Sequence, residues 1–485
     1  MASIFSDYSL PPPRPPLMHS LSVDVAVIGG GMAGVLIAHR LAECGATVAV
    51  LEAHRIGSGQ TAGTTAKLTA QHGDRYGRMI RRFGLPAARL YAGANRRGMD
   101  YIRRLIAERD IACDYTEADA YIYSLTDRAG MEREAKAQAA AGLPAQFVTH
   151  TELPVEVAGA VVCQNQAHFH PQKFLQAVAD PLSVYEFTPV RRVRGHTLFC
   201  EGGLVTAAHV VFACHYPFVN WPGLYFTRLH QERSYVLAMQ NVRPPKGMYW
   251  TPDKGGLSLR PYGDRVLVGG SGHRCGEQPG GHYDSLRRGA DRWFPGGREV
   301  AHWSAQDVIT PDELPYIGRF SAARPYWHIA TGFGKWGMST AAVAALLLGE
   351  EIGGRTLSES ALFSPTRFGW RDTGAVLHET GHAIKGLTRL WLSPAQRQAA
   401  NLAPGEGGIL RLDGRQMGVY HSPEGTWYAV SPRCTHLGCT LSWNPEETSW
   451  DCPCHGSRFD VTGRRLNGPA QTDLSYKGWN SSSKE

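Results

Sequence analysis

The chain has 485 residues, of which 43% are apolar and 19% charged, and it carries a formal net charge of +7. That length exceeds a single hydrophobic core and implies two or three folded units, while basic residues that never run to five or six in succession exclude a nucleic-acid-binding protein. The first twenty residues lack the basic start and apolar stretch of a secretory or twin-arginine signal, and the longest apolar run, Ala341 to Leu348, falls far short of the roughly 20 residues of a membrane span, so a cytoplasmic protein without a transmembrane anchor is expected.

Five prolines between Pro11 and Pro16 favour extended polyproline backbone, and residues 1–22 are expected to form a disordered tail. From Val23 the pattern changes to an apolar strand (Val23 to Ile28), a glycine turn, a helix (Met32 to Cys44) and a second strand (Thr47 to Glu52), which together make a βαβ unit. The turn reads Gly29-Gly30-Gly31-Met32-Ala33-Gly34. In this GxGxxG pattern Gly29 makes the tight turn, Gly31 lets a pyrophosphate approach the backbone, and Gly34 lets the helix pack on the strand. Glu52 follows Gly34 by eighteen residues, at the end of the second strand, where a carboxylate can accept both hydroxyls of a ribose. The competing reading is a glycine-rich turn in an unrelated α/β protein; the strand, turn and helix in order, with Glu52 beyond, favour dinucleotide binding.

Further along, a helix is expected over Leu85 to Arg109, with Pro86 in its first turn, and a strand over Val266 to Gly269. Flavoproteins that also bind a nicotinamide usually carry a second GxGxxG after a strand, and this chain has none, so the dinucleotide is expected to be FAD. Residues 364–402 mix polar and amphipathic pieces, with a helix expected over Lys385 to Leu392, and read as a connector. Beyond them, short strands punctuated by Asp413-Gly414 and Pro423-Glu424-Gly425 indicate a small antiparallel β domain.

Four of the ten cysteines crowd between Cys434 and Cys454, whereas Cys44, Cys113, Cys163, Cys200, Cys214 and Cys275 are isolated and read as reduced thiols. Cys434-Thr435-His436 and Cys452-Pro453-Cys454-His455 form a C-x-H and C-x-x-H pair separated by fifteen residues, which points to a metal site. Two thiolates and two imidazoles suit tetrahedral zinc. They equally suit a 2Fe-2S cluster with Cys434 and Cys452 on one iron and His436 and His455 on the other.

Two late motifs carry a resemblance for the first part of the chain. Thr310-Pro311-Asp312-Glu313-Leu314-Pro315-Tyr316-Ile317-Gly318 and Ala330-Thr331-Gly332-Phe333-Gly334 resemble signatures of the D-amino-acid oxidase and sarcosine oxidase superfamily. The resemblance implies an α/β Rossmann-like FAD-binding domain with an inserted α+β substrate domain over residues 23–363. A glycine-rich turn feeding a helix N-terminus aims backbone N–H groups at an anion, so Gly332, Gly334, Gly337 and Met338 are expected at the N1 and O2 edge of the flavin. Lys335 is a candidate positive charge there, with a solvated loop lysine as the competing reading. Ser58, Thr61 and Thr65 match the family's loop from the ribose acid toward the isoalloxazine ring, and Val190 matches the position whose backbone meets the adenine. Tyr235 and Arg260 fall in the region that forms the superfamily's substrate-facing sheet, where such residues often hold a carboxylate; a core aromatic and an ordinary salt bridge compete with that role. Phe169-His170-Pro171-Gln172-Lys173-Phe174 and His215-Tyr216-Pro217-Phe218 resemble members fused to Rieske domains.

The C-terminal loops carry a second resemblance. Each ligand loop holds an additional cysteine, Cys439 and Cys454, and Gly468-Pro469-Ala470 follows, which resembles the Rieske proteins of cytochrome bc-type complexes. This implies a small all-β domain over residues 403–485, a 2Fe-2S cluster on Cys434, His436, Cys452 and His455, a loop-to-loop disulfide between Cys439 and Cys454, and a proline loop over the cluster. Ser457 occupies the place of a serine that donates to a bridging sulfide. Phe459 stands where high-potential members have a tyrosine hydroxyl, so a lower reduction potential is expected.

The two resemblances together imply an FAD-dependent dehydrogenase that oxidises a C–N bond of a small amine or amino acid and passes electrons through the cluster to a cytochrome, ferredoxin or quinone. A flavin/Rieske electron-transfer or redox-sensing protein acting on a partner protein is the alternative. A Rieske oxygenase would need a 2-His-1-carboxylate iron site in a domain of its own, and the flavin domain leaves no room for one.

Overall fold

The computed structural model describes residues 3–277, 280–367, 381, 402–412 and 414–478. The expected Lys385 to Leu392 helix, Asp413 and most of the 364–402 connector lie outside the described residues. Strand Leu21–Ile28 is fully buried over Val25 to Ile28 because it sits mid-sheet, with Gly203–Phe212 and Val48–Leu51 parallel on its two sides. A strand covered on both faces reads as a continuous apolar run, which is why this segment stands out in the sequence. Ser183–Tyr185, Arg324–Thr331 and the antiparallel edge Tyr316–Ser321 extend the sheet, and the Val190–Arg194 and Thr197–Cys200 hairpin joins it. Helices Met32–Glu43 and Gly337–Ile352 share one core on its face. The apolar stretch Ala341 to Leu348 is thus covered by protein, and no described helix is long and apolar enough to cross a membrane.

A second sheet of nine strands runs in the order Arg298–Ile309, His230–Gln240, Arg265–Arg274, Ser258–Tyr262, Met248–Trp250, Thr116–Ser124, Gly159–His168 and Lys67–Leu68, with Ala145–Val148 paired on Gly159–His168. It comes from segments inserted between strands of the first sheet, so the two faces close on a space at the C-terminal ends of the parallel strands.

The expected disordered N-terminal tail is instead laid against the body. Phe5 is 1% exposed and packs edge-on against His170, Tyr262 and Trp303, and Leu17 is equally buried. Between them the Arg14 N–H donates to Glu186 (2.9 Å) and the Pro11 carbonyl accepts from Arg55 (2.5 Å). Polyproline backbone leaves its carbonyls free to accept from side chains, and these partners lie too far along the chain for local composition to reveal them.

The C-terminal domain consists of two four-stranded antiparallel sheets, one of Gly407–Leu412, Arg415–His421, Trp427–Val430 and Tyr476–Gly478, the other of Ser442–Asn444, Ser449–Asp451, Arg458–Phe459 and Arg465–Asn467. It docks on the second sheet of the N-terminal half through a buried charge. Arg233, 0% exposed, donates to Ser304 Oγ (2.8 Å) and Gln306 Oε1 (3.1 Å) beside it and to Asp451 Oδ2 (3.2 Å) across the boundary. Asp451 also accepts from Asn444, Ser449 and Arg458. Gly276, with φ +73°, passes so near the Pro453 nitrogen that a Cβ there would lie 2.7 Å from it. Burial alone would raise the Asp451 carboxyl, but Arg233 and Arg458 outweigh burial and hold it below the usual carboxylate range.

Arg233→Met is expected to lose about 2–3 kcal/mol at neutral pH, less than the full cost of orphaning a buried charge, because Arg458 stays 3.3 Å from Asp451. A carboxyl with a depressed folded-state pKa contributes stability that is present above its unfolded value and lost as pH falls through the folded one. The acid limb of the variant should therefore move up toward about pH 4. Thermal melts from acid to neutral pH check this, and coincident acid limbs for parent and variant would contradict it.

Candidate functional site

The space between the sheets is a cavity of about 930 Å³. At its rim the three fingerprint glycines divide their work. A Cβ on Gly29, φ +109°, would sit 2.6 Å from the Ala213 oxygen, and one on Gly34 would overlap the Gly29 carbonyl oxygen, so both are fixed by the chain's own packing. A Cβ on Gly31 meets nothing nearer than Thr61 Oγ1 at 3.4 Å, and Gly31 lines the cavity. Its bare backbone faces the cavity, not another part of the protein, as close approach of a pyrophosphate requires. Glu52 Oε2 accepts from the Gly30 N–H (2.6 Å) and Oε1 from the His54 N–H (2.8 Å), which fixes the carboxylate and leaves each oxygen a lone pair for a ribose hydroxyl. Burial raises its pKa. Ser58, Thr61, Thr65 and Val190 line the same cavity, with Thr61 Oγ1 accepting from Met32 N–H (3.1 Å).

The late motif turns the chain from strand Arg324–Thr331 into helix Gly337–Ile352 through Gly332 (φ +74°), Gly334 (φ +54°) and Lys335 (φ +73°). Gly332, Gly334, Gly337 and Met338 line the cavity. Lys335 lines it too, but not as the uncompensated charge expected from the sequence: its Nζ pairs with Glu232 Oε2 at 2.8 Å, near Asp307. Asp307 also faces the cavity, and burial pushes its carboxyl up to about 6 despite Lys335.

Tyr235 reaches the cavity wall, where its hydroxyl meets His273 Nε2 (3.1 Å) and its ring stacks on His282, 4.7 Å between centroids. Arg260 does not reach the cavity. Its guanidinium lies outside the cavity, donating to the Phe169 carbonyl (2.9 Å) beside Phe5 and Tyr262, so the expected carboxylate-holding role is corrected to a packing one. Position along the strand decides this: Ser258, two residues earlier and on the same face, lines the cavity, whereas Arg260 lies past its edge, beside Phe5. A cation that lines the cavity from the substrate sheet is Lys67, which donates to the Tyr249 carbonyl (2.7 Å) and Ser258 Oγ (2.6 Å) and is lowered to about 7 by burial. Lys67, Asp307, His273 and His282 escaped the sequence reading because no motif contains them.

The C-terminal ligand loops lie between strands Trp427–Val430 and Ser442–Asn444 and between Ser449–Asp451 and Arg458–Phe459. They bring the four expected ligands together in like pairs. The Cys434 and Cys452 thiols share a hydrogen bond that lowers Cys434 to about 7, and His436 and His455 approach with their Nδ1 atoms 3.3 Å apart. Burial first, then His455, lowers His436 to about 3, so its imidazole is neutral, as a ligand must be. Paired thiols and paired imidazoles suit two metal ions better than one tetrahedral centre. Ser457 Oγ lies against Cys434 and accepts from the Ala470 N–H (3.0 Å), and Phe459 is buried in the core that holds the four cysteines. Cys439 and Cys454 are within disulfide distance, with Cα atoms 6.6 Å apart.

Residues 24–351 match the family described as FAD dependent oxidoreductase, and residues 395–477 match the Rieske [2Fe-2S] domain. The chain belongs to the FAD-dependent oxidoreductase family and carries a C-terminal Rieske domain. A protein of Bacillus subtilis described as a putative Rieske 2Fe-2S iron-sulfur protein YhfW is 34% identical over 478 residues, covering 95% of this chain and 94% of that one. The cytochrome b6-f complex iron-sulfur subunit of Synechococcus elongatus is 49% identical over 47 residues, 10% of this chain and 26% of that one. Glycine oxidase from Geobacillus kaustophilus shares the fold with TM-score 0.62 and 22% identity over 72% of this chain and 99% of that one. L-proline dehydrogenase from P. horikoshii does so with TM-score 0.61 and 20% identity, over 73% and 98%.

The FAD cavity and the Rieske ligand loops share a wall. His436 Nε2 lies 2.9 Å from Asn220 Oδ1, and His455 Nε2 lies 3.1 Å from the Phe226 carbonyl. Gln231, which lines the cavity, donates to the His455 carbonyl (2.6 Å), and Gln306, also a lining residue, donates to the Gly456 carbonyl (2.9 Å). The inner nitrogens of both imidazoles therefore face each other while their outer nitrogens are held by the oxidoreductase half.

The glycine geometry separates binding from folding. Gly31→Ala should fold and assemble its cluster yet retain less than a tenth of the parent's FAD, whereas Gly34→Ala should fail to accumulate as folded protein; full FAD occupancy in Gly31→Ala, read from the flavin absorbance of purified protein, would contradict the fingerprint. Asp307 gives a second expectation. A raised carboxyl contributes stability that is present below its unfolded value and lost as pH rises through about 6. Asp307→Asn, which mimics the neutral form, should stabilise the FAD-free protein by roughly 1–2 kcal/mol at pH 8, with no gain below about pH 4. Thermal melts at the two pH values decide it.

Proposed function

We propose that the protein is an FAD-dependent dehydrogenase that removes two electrons from a C–N bond of a small amine or amino acid and delivers them singly, through the Rieske cluster, to an external acceptor such as a cytochrome, ferredoxin or quinone. The observation that carries this reading is the shared wall: Gln231 and Gln306 touch both the cavity and the cluster loops. FAD, when bound, accepts an electron pair, and a Rieske cluster exchanges one electron at a time. A cluster seated against the flavin cavity is positioned to drain it without a diffusional step.

The substrate class rests on the company the fold keeps and on the cavity wall. Proteins with this fold include a glycine oxidase, an L-proline dehydrogenase and an iminodiacetate oxidase. In this chain Lys67 offers a desolvated ammonium, and Tyr235 with His273 a polar edge, on the substrate-sheet side of the cavity. A lysine lowered to about 7 can hold a carboxylate in its charged form or take a proton from an ammonium in its neutral form. We read residues 23–363 as the flavin unit, 364–402 as its connector and 403–485 as the Rieske unit. We also infer a disulfide between Cys439 and Cys454 that ties the ligand loops; with both sulfurs almost fully buried, it is shielded from cytoplasmic thiols.

Anaerobic mixing with a panel of amines and amino acids should bleach the flavin for a true substrate, followed by the reduced-cluster EPR signal. His436→Cys should leave bleaching within twofold of the parent and slow the reduction of a cytochrome at least tenfold. Equal cytochrome reduction by variant and parent would show that the cluster is not the exit path. Absence of bleaching across the panel would remove the C–N substrate class.

A further inference from the structure

The cavity has a wall that the fold of an FAD-dependent oxidoreductase alone does not supply. Arg465, Leu466, Asn467, Gly468, Pro469 and Gln471 of the Rieske domain line it, on the side where Glu52, His54 and Val190 stand. Three independent contacts hold this stretch in place. Arg191, next to Val190, donates to the Gln471 carbonyl (3.3 Å); Gln231 Nε2 lies 3.5 Å from the Gly468 carbonyl; and Ala470 N–H is fixed on Ser457 Oγ (3.0 Å). His54 gives the position of Arg465 along the cavity. Burial lowers its imidazole pKa and the charges of Arg465 and Arg464 lower it further, and its own backbone N–H is bound to the carboxylate of Glu52. Arg465 thus lines the cavity on the side of His54, the second residue after Glu52.

The surroundings of Arg465 call for an anion. It is desolvated by burial and faces a second cation, Arg191, with Asp473, which accepts from its backbone N–H (2.9 Å), as the acidic group nearby. Its Nη1 donates to the Ala470 carbonyl (3.1 Å), and among the described residues no carboxylate lies within ion-pair distance of it. A guanidinium fork in that setting is suited to the phosphate and sugar oxygens of a dinucleotide.

We propose that the Rieske domain completes the FAD site, with Arg465 binding the adenosine-diphosphate half of the cofactor from across the domain boundary. The inference concerns FAD binding and is independent of which substrate is oxidised. The 465–471 stretch has a second task on the same residues, since Gly468 and Pro469 form the proline loop beside the cluster ligands. Seating of the cluster loops and retention of FAD are therefore coupled through one short segment.

The test uses the full-length protein stripped of FAD and titrated with FAD and, separately, with ADP, following flavin fluorescence and its displacement. Arg465→Ala should weaken both ligands about tenfold, the loss of one charge-assisted contact at 1.4 kcal/mol per decade, and should speed FAD dissociation, while the reduced-cluster EPR signal keeps its parental intensity as proof that the Rieske domain is folded. Arg464→Ala, whose side chain does not line the cavity, should bind both ligands as the parent does. FAD and ADP affinities within twofold of the parent in Arg465→Ala would overturn the proposal. Equal weakening by Arg464→Ala would overturn it too, by reducing the effect to a general basic field.

Discussion

The architecture depends on one buried charge placed at a domain boundary. Arg233 has no water to turn to, and its guanidinium is satisfied only when Asp451 arrives from the C-terminal domain to complete what Ser304 and Gln306 begin. A desolvated arginine left with neutral partners is strongly unfavourable, so docking is a condition of the folded state and not an optional encounter. Hydrophobic contact alone would tolerate sliding; a guanidinium shared among three defined acceptors does not. The register it sets carries through to Gly276 against Pro453 and to Gln231 and Gln306 against the ligand loop.

With that register fixed, two binding sites of opposite chemical taste come to share residues. The FAD cavity collects backbone amides, a glycine-bare approach and a few buried ionisable groups; the cluster pocket collects thiols and neutral imidazoles. Between them lie two glutamines, Gln231 and Gln306, whose amides bind each other (3.1 Å) and reach to both sides. Neutral amides are well suited to this place, because they bridge polar backbone without introducing a charge that would bias either site.

Local spacing made parts of this legible from the amino-acid sequence. The turn at Gly29 to Gly34 with Glu52, and the two cysteine-histidine loops, are short patterns whose chemistry requires residues close together in the chain, so the pattern survives in one dimension. Arg260 misled because its neighbourhood in the chain is the substrate sheet, while its place along the strand, two residues past the cavity-lining Ser258 on the same face, sets it beside Phe5 instead. The N-terminal segment misled for a related reason: proline-rich composition describes how a segment behaves alone, and Arg14 finds Glu186 only after 172 residues of chain have folded. Asp307 and Lys67 belong to no motif, and their importance comes from burial beside a cavity that only the assembled sheets create. The pairing of Arg233 with Asp451 is the extreme case, two ordinary charged residues whose meaning appears only at their contact.

The Arg233 contact also bears on the order of biogenesis. Chains are synthesised from the N-terminus and domains tend to fold as they emerge, and Asp451 follows Arg233 by 218 residues. Once the strands through Ile309 have been made and before Asp451 has, the substrate sheet holds a guanidinium whose Asp451 counter-charge does not yet exist, and the 465–471 wall of its cavity has not been made. The nascent oxidoreductase half is therefore an open vessel whose sheet carries a cation without its counter-charge. Its cavity is closed only when residues 465–471 have folded onto it, so closure of the cofactor site waits on the iron-sulfur lobe.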